Sequence, residues 1–358
     1  MVSQVMGNFN RLENNKKLLT ENHFSENNNY INEKEEGQFT PEDFKKEGYR
    51  VKEKLQNKIN DFIPESSLGL ISDYSLKEEA IINRNKYARN SNNARILEQE
   101  ISKIQYADSK INSRSNSNAD SLNDFFKEVR DSIITGKNDY LDILKDVFSK
   151  YMDYVNELRT ILSELSELTK AGAEDGTVNV DFKTLSDKLY YLKIKFFGGD
   201  IIKEYLFKIN LKFTKDGNGY YRMVNGEKIY YKDNTQVDAA VKAIEDLLKG
   251  VKGIELDKKN NSTPPDIEFT FGISIDFSDL DKVISDLEER SKNKGDILQS
   301  EFNLFKNSLD ALEKKINTNL DELSKKYSAA NSNYDNFVKI VSSTMNSLLE
   351  MAKGFLRF

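Results

Sequence analysis

The sequence predicts a mainly α protein: a long antiparallel intramolecular coiled coil, with an N-terminal helical hairpin and an inserted distal mixed α/β domain. Three observations carry this. Two stretches far apart in the chain repeat apolar residues in alternating steps of four and three, the signature of a coiled-coil seam. The segment between them alternates apolar and polar residues with period two, as half-buried strands do. The segment before them is polar, Asn-rich and punctuated by helix-start signals.

Residues 1–38 carry nine Asn among scattered Lys and Glu with no sustained period. They read as a disordered leader, because such a composition buries too little apolar surface to offset chain entropy. Met1 to Asn8 contains no apolar core of signal-peptide length, so export through a cleaved signal is not expected. At Thr40-Pro41-Glu42-Asp43 a capping hydroxyl, a proline at the first helical position and two first-turn carboxylates announce a helix to about Phe62, ended by Pro64. A second polar helix follows from about Leu76 to Ile111, with Ile81, Ala88, Ile96 and Ile101 as apolar anchors. The two form a hairpin within residues 39–120, closed by the linker-like SRSNSN at Ser113 to Asn118.

The first seam occupies residues 121–172. Its apolar positions are Leu144, Val147, Tyr151, Tyr154, Leu158, Ile161, Leu165 and Leu168, with Phe126, Val129 and Ile133 on a compatible face upstream. The helix starts near Leu122, tolerates Gly136 at about 1 kcal/mol, and ends by Gly172. The second seam occupies residues 296–358 and runs from Leu298 through Phe305, Leu312, Leu323, Tyr334 and Val341 to Phe358. Consecutive steps of four at Asn319, Leu323 and Tyr327 form one stutter. At about 1.5 Å per residue the two helices span roughly 70 and 90 Å. Neither is stable alone with its stripe in water, and the simplest partner for each is the other; an intermolecular coil is the competing arrangement.

Residues 173–295 form the distal domain. Tyr205 to Phe213 and Ile267 to Phe277 alternate as strands, and Asn225-Gly226 supplies the positive φ of a tight hairpin turn between Tyr220 to Val224 and Glu227 to Lys232. Helices are expected over about Thr235 to Leu248 and Ser278 to Arg290. Tyr220, Tyr221, Tyr230 and Tyr231 read as cross-strand pairs, with an exposed binding cluster as the alternative.

Composition excludes several kinds of chemistry. The chain has no Cys and one His, His23, within the leader, so thiolate and imidazole catalysis lack their groups. Acidic and basic residues are interspersed to a net charge of −6, which is no nucleic-acid footprint. No apolar run approaches the roughly 18 residues of a membrane span. Asp139, Asp142, Asp146 and Asp153 lie off the seam and read as a solvated face rather than acid/base or metal ligands. Asp216-Gly217-Asn218-Gly219 lacks the rest of a calcium loop, and Gly198-Gly199-Asp200 opens no phosphate-binding helix; both read as turns. The sequence therefore predicts no enzyme, no cofactor and no metal site.

The last 33 residues are the informative ones. Asn331, Asp335, Asn336 and Ser343 lie on a helix that would otherwise carry Glu/Lys pairs, which suggests close packing against another chain; an ordinary bundle surface is the alternative. The run Lys326-Tyr327-Ser328, Ala330-Asn331-Ser332, Tyr334-Asp335-Asn336-Phe337-Val338-Lys339, Ser342-Ser343-Thr344 and Phe355-Leu356-Arg357-Phe358 closely resembles the terminal pattern of the hydrophilic needle-tip proteins of type III secretion systems, the invasion plasmid antigen D family. The strand Phe271 to Phe277 with its following helix is also similar, and the first seam from about Asn123 to Leu168 more weakly so.

The resemblance implies a secreted, non-enzymatic protein, made in the cytoplasm and carried on the bacterial surface. It would cap the needle, control secretion and support assembly of the translocator pore on host contact. It implies that residues 39–120 act as a self-chaperone and that the leader holds an uncleaved secretion signal. The implied partners are the needle subunit, the hydrophobic translocator proteins, further copies of the same chain at the tip, and bile salts, for which no residue is assigned. Needle docking falls to Tyr327, Asn331, Asp335, Asn336, Lys339 and Ser343, with Phe355 and Phe358 closing the apolar end. The competing readings are a helical pore-forming toxin, for which no insertion element is present in the distal domain, and an effector delivered into the host cell.

Overall fold

The computed structural model describes residues 76–112, 120–197, 205–292 and 296–356. The expected leader, the helix at Thr40 to Phe62, the SRSNSN linker and the Gly198-Gly199-Asp200 turn lie outside the described residues. The described elements are mainly helical, with a long carboxy-terminal helix and a small sheet region.

Helix α1 spans Leu76–Asn112. The first seam begins with α2, Asp120–Gly136, passes through one π-helical turn, Lys137–Asp142, and continues as α3, Ile143–Ser163. A short 3₁₀ turn, Glu164–Ser166, closes it. The expected uninterrupted helix to Gly172 is thus corrected at two points: Thr169–Ala171 is already a strand, β1, and the helix changes register near Gly136. The reason for the second lies across the interface. Tyr334 is fully buried and its hydroxyl donates to the Ile133 carbonyl at 3.0 Å. A Cβ at Gly136 would stand 3.3 Å from the Tyr334 ring, so glycine here admits a close neighbour rather than merely being tolerated. Asn138 donates to the Ile134 carbonyl at 2.7 Å, so side chains serve two carbonyls where the ladder shifts.

The second seam is α7, Gln299–Leu356. It runs antiparallel to α2 and α3. Tyr334 meets Ile133, Tyr327 packs against Phe148 with ring centroids 5.6 Å apart, and Asn317 accepts from Arg159 at 2.7 Å. The buried positions follow the predicted stripes: Leu144, Val147, Tyr151, Tyr154, Leu158 and Leu165 on one side, and Phe305, Leu309, Leu312, Ile316, Leu323, Tyr327, Tyr334 and Val341 on the other. At the stutter, Asn319, Leu320, Leu323 and Ser324 are all buried, so the extra residue widens the stripe where α7 touches more than one neighbour. Leu298 falls away from the seam and is 56% exposed, because it belongs to a short strand, β8, Ile297–Leu298.

The inserted domain begins with β2, Thr177–Val180, and α4, Phe182–Phe197. Neither was expected. Then come β3, Phe207–Asp216; β4, Gly219–Val224; β5, Glu227–Tyr231; α5, Asn234–Leu248; β6, Ile254–Asn260; β7, Ile267–Ile275; and α6, Ser278–Lys292. Five strands form one antiparallel sheet in the order β5-β4-β3-β7-β6, and β1-β2-β8 form a second, smaller one. Register places Phe207, Ile209, Leu211 and Phe213 opposite Ile273, Phe271, Phe269 and Ile267, all on one face. Asn225 and Gly226 take φ of 52° and 84°, as their hairpin requires. Tyr220 pairs with Tyr231 in the core and Tyr221 with Tyr230 at half burial, which favours the cross-strand reading of the four tyrosines. Asp216 accepts from the Asn218 backbone N–H at 2.8 Å, as a turn residue does.

Candidate docking surface on the carboxy-terminal helix

The sequence-selected residues of α7 divide by helical phase. Tyr327, Asn331 and Asp335 recur every four residues and face inward at 2%, 0% and 8% exposure. Asn336, Lys339 and Ser343 face solvent along the opposite stripe. The structure therefore does not bring the six together as one free surface. The side chain of Phe355, and Phe358 as a whole, lie outside the described residues.

Tyr327 packs against Phe148 of α3, and what covers Asn331 and Asp335 is α1. The Asn90 amide donates to the Asn331 carbonyl at 2.8 Å, and the Asn331 amide donates to the Asn83 carbonyl at 3.4 Å. Arg89 lies 3.5 Å from Asp335, which also pairs with Lys339 at 2.7 Å. Alongside, the Tyr87 hydroxyl donates to Asp142 at 2.8 Å, and Asp142 also pairs with Lys137 at 2.9 Å. Burial pushes the Tyr327 phenol up to about 12 and raises those of Tyr87 and Tyr334 further, while burial lowers the Lys326 ammonium. All three phenols stay protonated at neutral pH, so they act here as donors and packing groups.

Sequence reasoning missed the covering residues because two of its four apolar anchors of α1, Ile81 and Ala88, face outward, while Ile96 is half-buried and Ile101 is buried. Ile81 is 53% exposed and Ala88 is exposed, whereas Asn83, Asn90, Ala94, Leu97 and Ile101 are buried. Asp139 is also corrected from a solvated face. It forms an ion pair with Arg222 of β4, and burial raises its carboxyl against the lowering effect of that guanidinium. Asn138 and Asn225 lie beside it, and Arg130 of α2 pairs with Glu227 of β5, so the π turn and the end of α2 form one place where the inserted domain is fastened to the helices. No group of three or more metal-ligating side chains occurs among the described residues, and none of their helices is long and apolar enough to cross a membrane.

The family model for type III secretion systems tip complex components matches residues 70–356. The chain belongs to that family. Its members are components of the tip complex of a secretion system, a structural rather than an enzymatic part. The cell invasion protein SipD of Salmonella typhimurium is 24% identical over 222 residues, 61% of this chain and 57% of that protein. The invasin IpaD of Shigella flexneri is 24% identical over 237 residues, 66% of this chain and 60% of that protein. The chain thus spans about three-fifths of the length of the curated relatives it matches. The solved structure of BipD from Burkholderia pseudomallei is similar at 14% identity and a TM-score of 0.48, covering 88% of this chain and 98% of that one.

Proposed function

We propose that this tip complex component caps the needle of a type III secretion system, restrains secretion until host contact, and then supports assembly of a pore by the hydrophobic translocator proteins. In this reading it is exported through the apparatus and resides at the needle tip on the bacterial surface. Its α2, α3 and α7 form an intramolecular coiled-coil stalk, and residues 173–295 are the distal head. Residues 39–120 act as a self-chaperone. The needle subunit docks on the carboxy-terminal half of α7 through Tyr327, Asn331, Asp335, Asn336, Lys339 and Ser343, with Phe355 and Phe358 closing the apolar end. Further copies of the chain and bile salts complete the proposed partners.

The observation that supports this most is the cover. A separate helix, α1, covers Asn331 and Asp335, so these two of the proposed contacts are withheld from solvent while Asn336, Lys339 and Ser343 are displayed. An exposed apolar surface on an exported protein risks self-association unless shielded. Two experiments test the reading. Imaging needles with antibody against the head should label tips only in cells that make the protein. Deleting Gly354 to Phe358 should leave a folded chain that no longer localises there; a truncated chain that still caps needles refutes the docking assignment.

A further inference from the structure

The chain carries a net charge of −6, yet residues 207–232 hold six basic and two acidic residues. Arg222 is taken up by Asp139, and Glu227 by Arg130. The remaining basic residues, Lys208, Lys212, Lys215, Lys228 and Lys232, are all exposed and form no ion pair among the described residues. Lysines elsewhere are commonly paired, as Lys188 is with Glu164, Lys193 with Asp281 and Lys252 with Glu322.

Strand register gathers four of them. Lys208 and Lys212 share the face of Thr214 along β3, Thr214 pairs with Tyr221, and Tyr221 pairs with Tyr230, so Lys228 of β5 lies on that face too, with Lys232 at its end. The opposite face turns Leu211, Phe213 and Arg222 inward. At the centre of the outer face the Tyr221 and Tyr230 ring centroids are 5.9 Å apart, and beside them Met223 is 54% exposed. Lys228 lies 3.9 Å from the Tyr221 centroid and Lys127 of α2 lies 4.6 Å from that of Tyr230, so the cations are held over the rings. The acidic groups of this face are engaged or stand to one side. Asp216 accepts from the Asn218 N–H at 2.8 Å and from the Tyr230 hydroxyl at 3.3 Å, and Glu268 of β7 stands opposite Lys212. Glu255 and Asp257 lie on the far edge strand β6, where Asp257 holds Lys259 and the Tyr205 hydroxyl.

A ridge of one methionine and two tyrosines ringed by unpaired lysines fits an interface that is anionic outside and apolar beneath. A soluble polyanion would engage the lysines and leave Met223 in water. We propose that the outer face of β3, β4 and β5 is a peripheral binding site for a lipid surface bearing anionic headgroups, with Lys212, Lys228 and Lys232 meeting the headgroups and Met223 and Tyr221 entering the layer below. Tyrosine suits such a boundary, with its ring on the apolar side and its hydroxyl among the headgroups. The binding stands on the patch alone. Its use at host contact rests on the function proposed above, and because purified chain and vesicles involve no needle, the two can fail separately.

Vesicle flotation with the full chain tests this. The chain should float with vesicles of phosphatidylcholine and phosphatidylserine in equal parts but not with phosphatidylcholine alone, and it should release as salt is raised. Lys212→Gln with Lys228→Gln should weaken the partitioning about 25-fold, about fivefold for each charge removed. Met223→Ser should weaken it about fivefold and leave its salt dependence unchanged. Lys306→Gln with Lys314→Gln, at exposed positions of α7, should change it by about twofold at most. All of these side chains are exposed, so the fold should survive, which circular dichroism checks. Equal binding to both kinds of vesicle, binding to neither, or an equal loss in the α7 variant overturns the proposal. So does lysine-dependent binding to heparin by a chain that leaves vesicles unbound, which would mark the face as a site for a soluble polyanion. A dye trapped in the vesicles should stay inside, and its leakage would overturn the peripheral assignment.

Discussion

Replacing Arg222 by methionine asks how strongly the distal domain depends on one buried ion pair. The Arg222 side chain is 8% exposed and its partner Asp139 24%, so the substitution strands a carboxylate with little water to take over. Breaking a buried pair from one side costs about 3–5 kcal/mol, and the partial exposure of Asp139 argues for the lower end, about 3 kcal/mol. Arg222→Met with Asp139→Leu removes both charges and should recover all but about 1 kcal/mol. Urea unfolding of the two single variants and the double variant closes the cycle.

Acidity gives a second handle on the same pair. Burial already raises the Asp139 carboxyl, and losing the guanidinium that opposes this raises it further. A carboxyl whose folded pKa lies above its unfolded value favours the fold when protonated, and that advantage is lost as pH rises through the folded pKa. The defect of Arg222→Met should therefore shrink as pH falls from 7.5 towards 5. A loss below about 1 kcal/mol at pH 7.5, or a double variant no more stable than the single, refutes the account.

Gly253→Ala should cost at least about 2 kcal/mol in urea unfolding: φ there is +79°, and the new Cβ would meet the Tyr151 hydroxyl at 2.5 Å and the Asn319 amide at 2.7 Å. Tyr334→Phe should cost about 1 kcal/mol by the same measurement, because the Ile133 carbonyl loses a buried donor beside the π turn. Burial raises Asp131 to about 6, so its charge opposes folding at neutral pH and ceases to do so as the carboxyl protonates below that value. Asp131→Asn should accordingly stabilise by about 1–2 kcal/mol at pH 7.5, allowing for solvent screening, and by little at pH 4.

The elements legible in the sequence are those whose burial and periodicity agree. Strands β3 and β7 alternate strictly and pair with each other, and α7 keeps its stripe from Phe305 to Val341. Helix α4 was hidden by its aromatic run from Leu189 to Phe197, which has strand-like composition, although Leu185, Leu189 and Leu192 are buried at helical spacing. Its available signal was Asp181, whose carboxylate accepts from the Thr184 N–H at 3.0 Å, as a helix cap does. Strand β6 carries only Ile254 and Leu256 as apolar residues and is an edge strand ending in Lys-Lys-Asn, so it shows no clear alternation.

The candidate surface was half legible. Composition singled out Asn331, Asp335, Asn336 and Ser343, but not which of them face inward, because the helix that covers two of them buries Asn83 and Asn90 where a hydropathy pattern looks for isoleucine. The role of Asp139 was invisible because Arg222 is 83 residues away in the chain.

The small sheet at the base of the distal domain has a consequence for how this chain changes over time. β1 ends at Ala171, β8 starts at Ile297, and β2 lies between them, while Asp296 accepts from the Ala173 backbone N–H and from Asn179. More than a hundred residues thus leave and re-enter the helical frame through a single doorway pinned by one carboxylate. With its two ends held so near each other, the segment between them can change in length without pulling the ends of the two long helices apart, provided the contacts that fasten it to the π turn are kept.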